Sequence, residues 1–152
     1  IVLLLDVTKG LAAVLVARAL TGNDAVQMFA GLTSVAGHNW PLFFKFRGGR
    51  GVATTIGVFI GIAPLVILIA TTIGVALIAI TRFVSLGSMV GAIAIPVFMI
   101  IFRMPPIYIA FGTLMALMAV WRHRQNISRL LKGTESKLGT KVNMGNEEKR
   151  GK

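Results

Sequence analysis

The stretch VATTIGVFIGIAPLVILIATTIGVALIAI, residues 52–80, decides how this chain is organised. A helix crossing a bilayer squarely needs about 20 residues, so this run is long for one crossing and short for two. Pro64 lies inside it. Proline has no N–H to donate and is accepted in the first turn of a helix, so a break over Gly61–Pro64 with a new helix starting at Pro64 is expected. Charge favours the same division. Lys45, Arg47 and Arg50 precede the run, while Arg122, Arg124, Arg129, Lys132, Lys137, Lys141, Lys149, Arg150 and Lys152 follow the last apolar segment. Basic residues gather on the cytoplasmic side of membrane proteins, so an even number of crossings must separate the two clusters. The break at Pro64 makes that number four; an unbroken helix would make it three.

Working outward, further apolar runs cover roughly Ile1 to Leu20, Ala25 to Phe46, Val84 to Phe102 and Ile107 to Trp121. Backbone groups in hydrocarbon must pair within their own segment, and nothing alternates as a membrane strand would, so each run is expected to be helical. The expected fold is all-α, a polytopic transmembrane helix bundle of about six spans. The chain opens at Ile1 inside an apolar run and without methionine, which reads as a fragment; seven spans are expected in the complete protein. Residues 1–135 form the expected transmembrane domain, and the polar residues 136–152 a disordered cytoplasmic tail. On this topology Arg18, Asp24 and Arg103 face outward, and thirteen of the sixteen Lys and Arg residues face inward.

Composition narrows the chemistry. With 55% hydrophobic and 14% charged residues and a mean hydropathy of +0.81, the chain is too apolar for a soluble domain. Cysteine is absent, which removes disulfides and thiolate catalysis. The acids are Asp6, Asp24, Glu135, Glu147 and Glu148 and the histidines His38 and His123, at spacings that suit neither a metal site nor a glycosidase-type carboxylate pair. No metal or cofactor is expected. A net charge of +11 points to anionic head groups or phosphorylated ligands, and not to nucleic acid, because there is no soluble basic module.

Three stretches could carry chemistry. In AGHNWPLFFKFRGGRGVATTIG, residues 36–57, three glycines and two arginines fall in five residues between apolar spans. Backbone amides, guanidinium groups and the start of the next helix near Val52 converge there, as a phosphate cradle requires. The spacing is not that of a P-loop, and the plain alternative is a basic turn that only fixes topology. In WRHRQNISRLLKGTESKLG, residues 121–139, helical spacing puts His123, Asn126 and Ile127 on one face, continued by Arg129 and Leu130. That face could look into the bundle, or the segment could be an interfacial amphipathic helix. Between them RFVSLGS, residues 82–88, offers Arg82, Ser85 and Ser88 on the same side, to bind phosphate or to cap a helix. Asp6 and Lys9, three apart in the first run, are expected to pair, as part of a site or as scaffold. His38 is open to the same two readings.

Taken together, these stretches resemble the second and third signature regions, and the serine-bearing loop between them, of the bacterial acyl-phosphate:glycerol-3-phosphate acyltransferases, the PlsY family. The opening LLLDVTKGLAAVLVA, residues 3–17, is similar to the helix after that family's first signature. The resemblance runs from Ile1 to about Leu138; the first signature and the N-terminal helix lie outside these residues. It implies a multi-pass enzyme of the bacterial inner membrane with its active face cytoplasmic. It also implies transfer of a fatty acyl group from acyl phosphate to the sn-1 hydroxyl of glycerol 3-phosphate, giving lysophosphatidic acid without CoA or acyl-carrier protein. Carried over, the phosphate loop falls on Gly48, Gly49, Arg50, Gly51, Val52, Ala53 and Thr54. The third signature falls on His123, Asn126, Arg129, Gly133 and Glu135. The family usually has lysine where this chain has Arg47 and Arg50, a change that keeps charge and alters donor geometry.

The residue inventory suits that reaction. Acyl phosphate is already activated, so the main task is to hold two polyanions side by side, for which cations suffice. Arg50, the loop amides and Lys45 or Arg47 are assigned to glycerol 3-phosphate, with Arg82, Ser85 and Ser88 nearby. His123 and Asn126 orient the reacting groups, and His38, Asn39, Arg129, Gly133 and Glu135 support the site. The acyl chain is expected between apolar helices. A transporter or channel for an anionic solute is the rival reading, and it would put the site near mid-membrane rather than at one face.

Overall fold

The computed structural model describes residues 2–41 and 48–139. Seven helices follow one another among them: α1 (Val2–Thr21), α2 (Asp24–Asn39), α3 (Val52–Ile62), α4 (Pro64–Thr81), α5 (Val84–Ile101), α6 (Pro106–Arg122) and α7 (Arg124–Leu131). Six are bundle helices, and the short α7 follows the last of them. The 52–80 run divides where expected, with Pro64 in the first turn of α4 and Ala63 between the two helices. The pieces are unequal. At 1.5 Å per residue the 11 residues of α3 reach about 16 Å, roughly half of a hydrocarbon core.

The second run ends earlier than expected. The apolar pattern continues to Phe46, but α2 stops at Asn39, and Trp40 leaves helical geometry with φ −132° and ψ 66°. Pro41 is the cause, since its ring clashes with a helical conformation at the residue before it. Lys45 and Arg47 lie outside the described residues.

α1 packs closely on α3 because glycines bring the two backbones together. A Cβ on Gly57 would overlap the Val7 carbonyl oxygen, and one on Gly10 would overlap that of Thr54. Val14, Val58, Phe59, Val66, Ile67, Ile95, Met99 and Met115 fill the core between α1, α3, α4, α5 and α6. The outer faces are apolar too. Leu65, Leu68, Val75 and Ile80 of α4 and Val97 and Ile100 of α5 are all exposed, and both helices are long and apolar enough to cross a membrane. Apolar surface on that scale needs lipid around it.

At one end of the bundle, Arg18 of α1 donates to the Gln27 side chain at 3.0 Å and to the Gly61 carbonyl at 2.6 Å. That bond satisfies a carbonyl in the last turn of the short α3. The opposite end gathers the 48–51 loop, the start of α5, and α7, so four helices do separate the two basic clusters.

Candidate active site

Gly51 starts α3 in the left-handed region, φ +74°, where a side chain would be strained and would press on Asn39. With glycine at this position no side chain caps α3, and its first-turn amides stay available to an anion. Arg122, the last residue of α6, holds the loop from the side. Its guanidinium donates to the Gly48 carbonyl at 3.1 Å and to the Gly49 carbonyl at 2.6 Å, and lies 5.3 Å from the centre of the Trp40 ring. In trans peptides the following N–H points the opposite way, so the amides of Gly49 and Arg50 are turned away from Arg122.

His123 separates α6 from α7 and is 1% exposed. Its Nδ1 donates to the Ala119 carbonyl at 2.8 Å, which leaves Nε2 as an acceptor in the neutral ring. Burial pushes its pKa below the usual histidine value; the Ala119 bond opposes this, while the Arg50 charge adds to it. The ring is therefore neutral at pH 7.

Glu135 gathers three partners. Its Oε1 accepts from Ser85 Oγ and from Asn126 Nδ2, both at 2.6 Å, and its Oε2 accepts from Arg129 Nε at 2.7 Å. Burial raises the carboxyl's pKa, but the bonds from Ser85, Asn126 and Arg129 and the charge of Arg129 outweigh it and bring it to about 2. The chain reaches this position through a Schellman turn. Gly133 at φ +67° donates to the Leu130 carbonyl and Thr134 N to that of Arg129, ending α7.

Two cavities open beside these groups. One, of about 280 Å³, is lined by Arg50, Val84, Ser85, Asn126, Arg129, Glu135 and Ser136. The other, of about 400 Å³, is lined by Gly48, Gly49, Arg50, Arg122, Arg124, Gln125 and Asn126. Arg50 and Asn126 belong to both. Among the described residues Arg50 makes no hydrogen bond or ion pair within the chain, so its guanidinium is open to a ligand.

Other expected residues sit less directly. Val52, Ala53 and Thr54 form the first turn of α3 and line neither cavity, and Thr54 is fully buried. Arg82 ends α4 with φ +63°; its carbonyl accepts from Leu138 N at 2.7 Å. Ser88 lies one turn into α5, and neither it nor Arg82 lines either of these two cavities. Asn39 is completely buried beside Gly51, and neither of its amide atoms has a partner among the described residues. The expected tail starts at Ser136, which lines the smaller cavity; residues 140–152 lie outside the described residues. Sequence reasoning passed over Arg122 as a site residue. Its signal was a cation directly after the last apolar run, a position that topology alone explains.

Residues 1–133 match the glycerol-3-phosphate acyltransferase family. The chain belongs to that family. It is 49% identical over 138 residues to the glycerol-3-phosphate acyltransferase of Thermoanaerobacter sp. (strain X514), covering 91% of this chain and 69% of the relative. To that of Shouchella clausii (strain KSM-K16) it is 47% identical over 146 residues, covering 92% and 71%. It is also similar to the crystal structure of PlsY, an integral membrane glycerol 3-phosphate acyltransferase, in its glycerol 3-phosphate form. There the TM-score is 0.86 with 36% identity, over 91% of this chain and 70% of that one. A second crystal structure of PlsY, in its lysophosphatidic acid form, matches equally well. A glycerol-3-phosphate acyltransferase embedded in the membrane is thus what the bundle and its loop end belong to.

Proposed function

We propose that this acyltransferase takes its acyl group from acyl phosphate, delivers it to the sn-1 hydroxyl of glycerol 3-phosphate, and works at the cytoplasmic face of the bacterial inner membrane. The observation that carries this reading is Arg50, a guanidinium with no partner in the described chain, on the shared wall of two cavities. Two phosphorylated substrates need two adjoining anion sites, and a cation between them offsets their repulsion. In this reading the Gly48–Gly51 loop and Arg50 bind the phosphate of glycerol 3-phosphate, with Lys45 or Arg47 adding charge. Arg82 and Ser88 would contribute only to the surrounding field, whereas Ser85 acts through Glu135.

The hydroxyl oxygen attacks the acyl carbon, an ester bond forms, and the carbon–oxygen bond to phosphate breaks. Inorganic phosphate leaves, and the hydroxyl proton ends on it or in water. Asn126, fixed by Glu135, and the neutral His123 orient the reacting groups. The cytoplasmic assignment rests on the concentration of basic residues at the loop end. Membranes carrying the protein, given acyl phosphate and labelled glycerol 3-phosphate, are expected to yield labelled lysophosphatidic acid and inorganic phosphate in equal amounts. Hydrolysis of acyl phosphate with no labelled lipid would refute the transfer.

A further inference from the structure

The Gly loop is held by Arg122 on one side, and its other side rests on the end of α2. A Cβ on Gly48 would overlap the His38 carbonyl oxygen, and one on Gly49 would overlap His38 Nε2, so the imidazole edge lies directly against the Gly49 backbone. The opposite edge of the ring meets α1. His38 Nδ1 is 3.1 Å from Asp6 Oδ1 and 3.3 Å from Lys9 Nζ, and Lys9 Nζ is itself 3.3 Å from Asp6 Oδ1. Lysine can only donate and the carboxylate only accept, so Nδ1 bonds to Asp6 when it carries the proton and to Lys9 when it does not. In either tautomer the ring stays tied to α1.

Two charges and an imidazole in bundle helices are a costly way to join α1 to α2, which glycine and apolar contacts between neighbouring helices can do. We propose that His38 is a positioning residue for glycerol 3-phosphate: Asp6 and Lys9 lock its ring, and the ring sets the backbone at Gly49 so that the loop amides face the phosphate. This rests on the loop being the phosphate site. The role is exerted on the ground-state complex as well as the transition state, so it predicts an effect on KM with kcat nearly unchanged.

The test compares His38→Asn, Gly49→Ala and the double variant in the full-length enzyme, with Arg50→Ala as the control on the loop. Asparagine can keep a polar atom near the position of Nδ1, preserving the tie to α1, while removing the ring edge from Gly49. His38→Asn is expected to raise KM for glycerol 3-phosphate about tenfold and to change kcat by less than about twofold. Gly49→Ala is expected to raise KM because its methyl meets the ring. Joined to His38→Asn, the same methyl finds the vacated space, so the double variant should bind better than Gly49→Ala alone.

A purely structural tie between α1 and α2 would be rescued by asparagine, so wild-type KM in His38→Asn overturns the proposal. Penalties that simply multiply in the double variant overturn it too. If position 38 tolerates no change, Asp6→Ala combined with Lys9→Ala removes both ties to Nδ1, frees the ring and is expected to raise KM in the same manner, with an unchanged KM again refuting the idea. Arg50→Ala keeps the two readings apart. A raised KM there with none in His38→Asn removes only the role of His38, whereas an unchanged KM in Arg50→Ala removes the phosphate loop itself.

Discussion

Ser85 Oγ donates to Glu135 Oε1 at 2.6 Å, joining the first turn of α5 to the segment after α7 across fifty residues of sequence. The same oxygen accepts from Asn126, so one carboxylate fixes the Asn126 amide and closes one wall of the smaller cavity. Glu135→Ala leaves these donors unpaired and is expected to cost about 1–3 kcal/mol of stability, with most of the activity. Thermal unfolding in detergent and a lysophosphatidic acid assay read the two effects.

Protonation of the same group gives a pH dependence of known sign. The Glu135 carboxyl falls from 4.5 to about 2 in the folded chain, so its contribution is complete above pH 4.5 and is lost as pH falls towards 2. Melting temperatures of wild type and Glu135→Gln are therefore expected to converge over that interval. Parallel curves would show that the carboxylate is not what the network stabilises.

His123 acts on a higher pH range. Its pKa is lowered, chiefly by burial, so the folded state favours the neutral ring and gains stability from it above pH 6.5. That gain declines as pH drops below 6.5 and the unfolded chain takes up the proton. Activity is expected to hold level between pH 8 and about 6.5 and to fall below that, nearer the lowered pKa of the folded ring. His123→Ala is expected to reduce kcat at least tenfold, roughly, with glycerol 3-phosphate KM little changed.

Arg50 separates binding from folding. Its guanidinium has no partner among the described residues, so Arg50→Ala is expected to leave the melting temperature within about 2 °C of wild type. KM for glycerol 3-phosphate is expected to rise by roughly tenfold or more, because a charge-assisted contact to phosphate is lost. Arg50→Lys keeps charge without the planar fork and should fall between the two.

Gly57→Ala tests the frame. The added methyl overlaps the Val7 carbonyl, which is backbone and cannot swing aside, so α1 must separate from α3. A loss of about 1–3 kcal/mol is expected, read as lower melting temperature and yield of folded protein.

The amino-acid sequence by itself determined what depends on local chemistry. Apolar length set the helices, Pro64 set the α3–α4 break, and Pro41 carried a stop signal for α2 that the apolar pattern beyond it concealed. The glycines and arginines of the loop marked a candidate anion site, and the distribution of cations required its two halves to share an end of the bundle. Tertiary structure alone decided who meets whom: Arg122 with Gly48 and Gly49, Ser85 with Glu135, and His38 with Asp6 and Lys9. The physical reason lies in the helices. α3, α4 and α5 are apolar nearly all round, so no polar stripe announces which face turns inward, and rotation and tilt are set by packing between helices. Contacts that depend on those rotations, fifty or more residues apart in two of the three cases, therefore left no periodic trace in the chain.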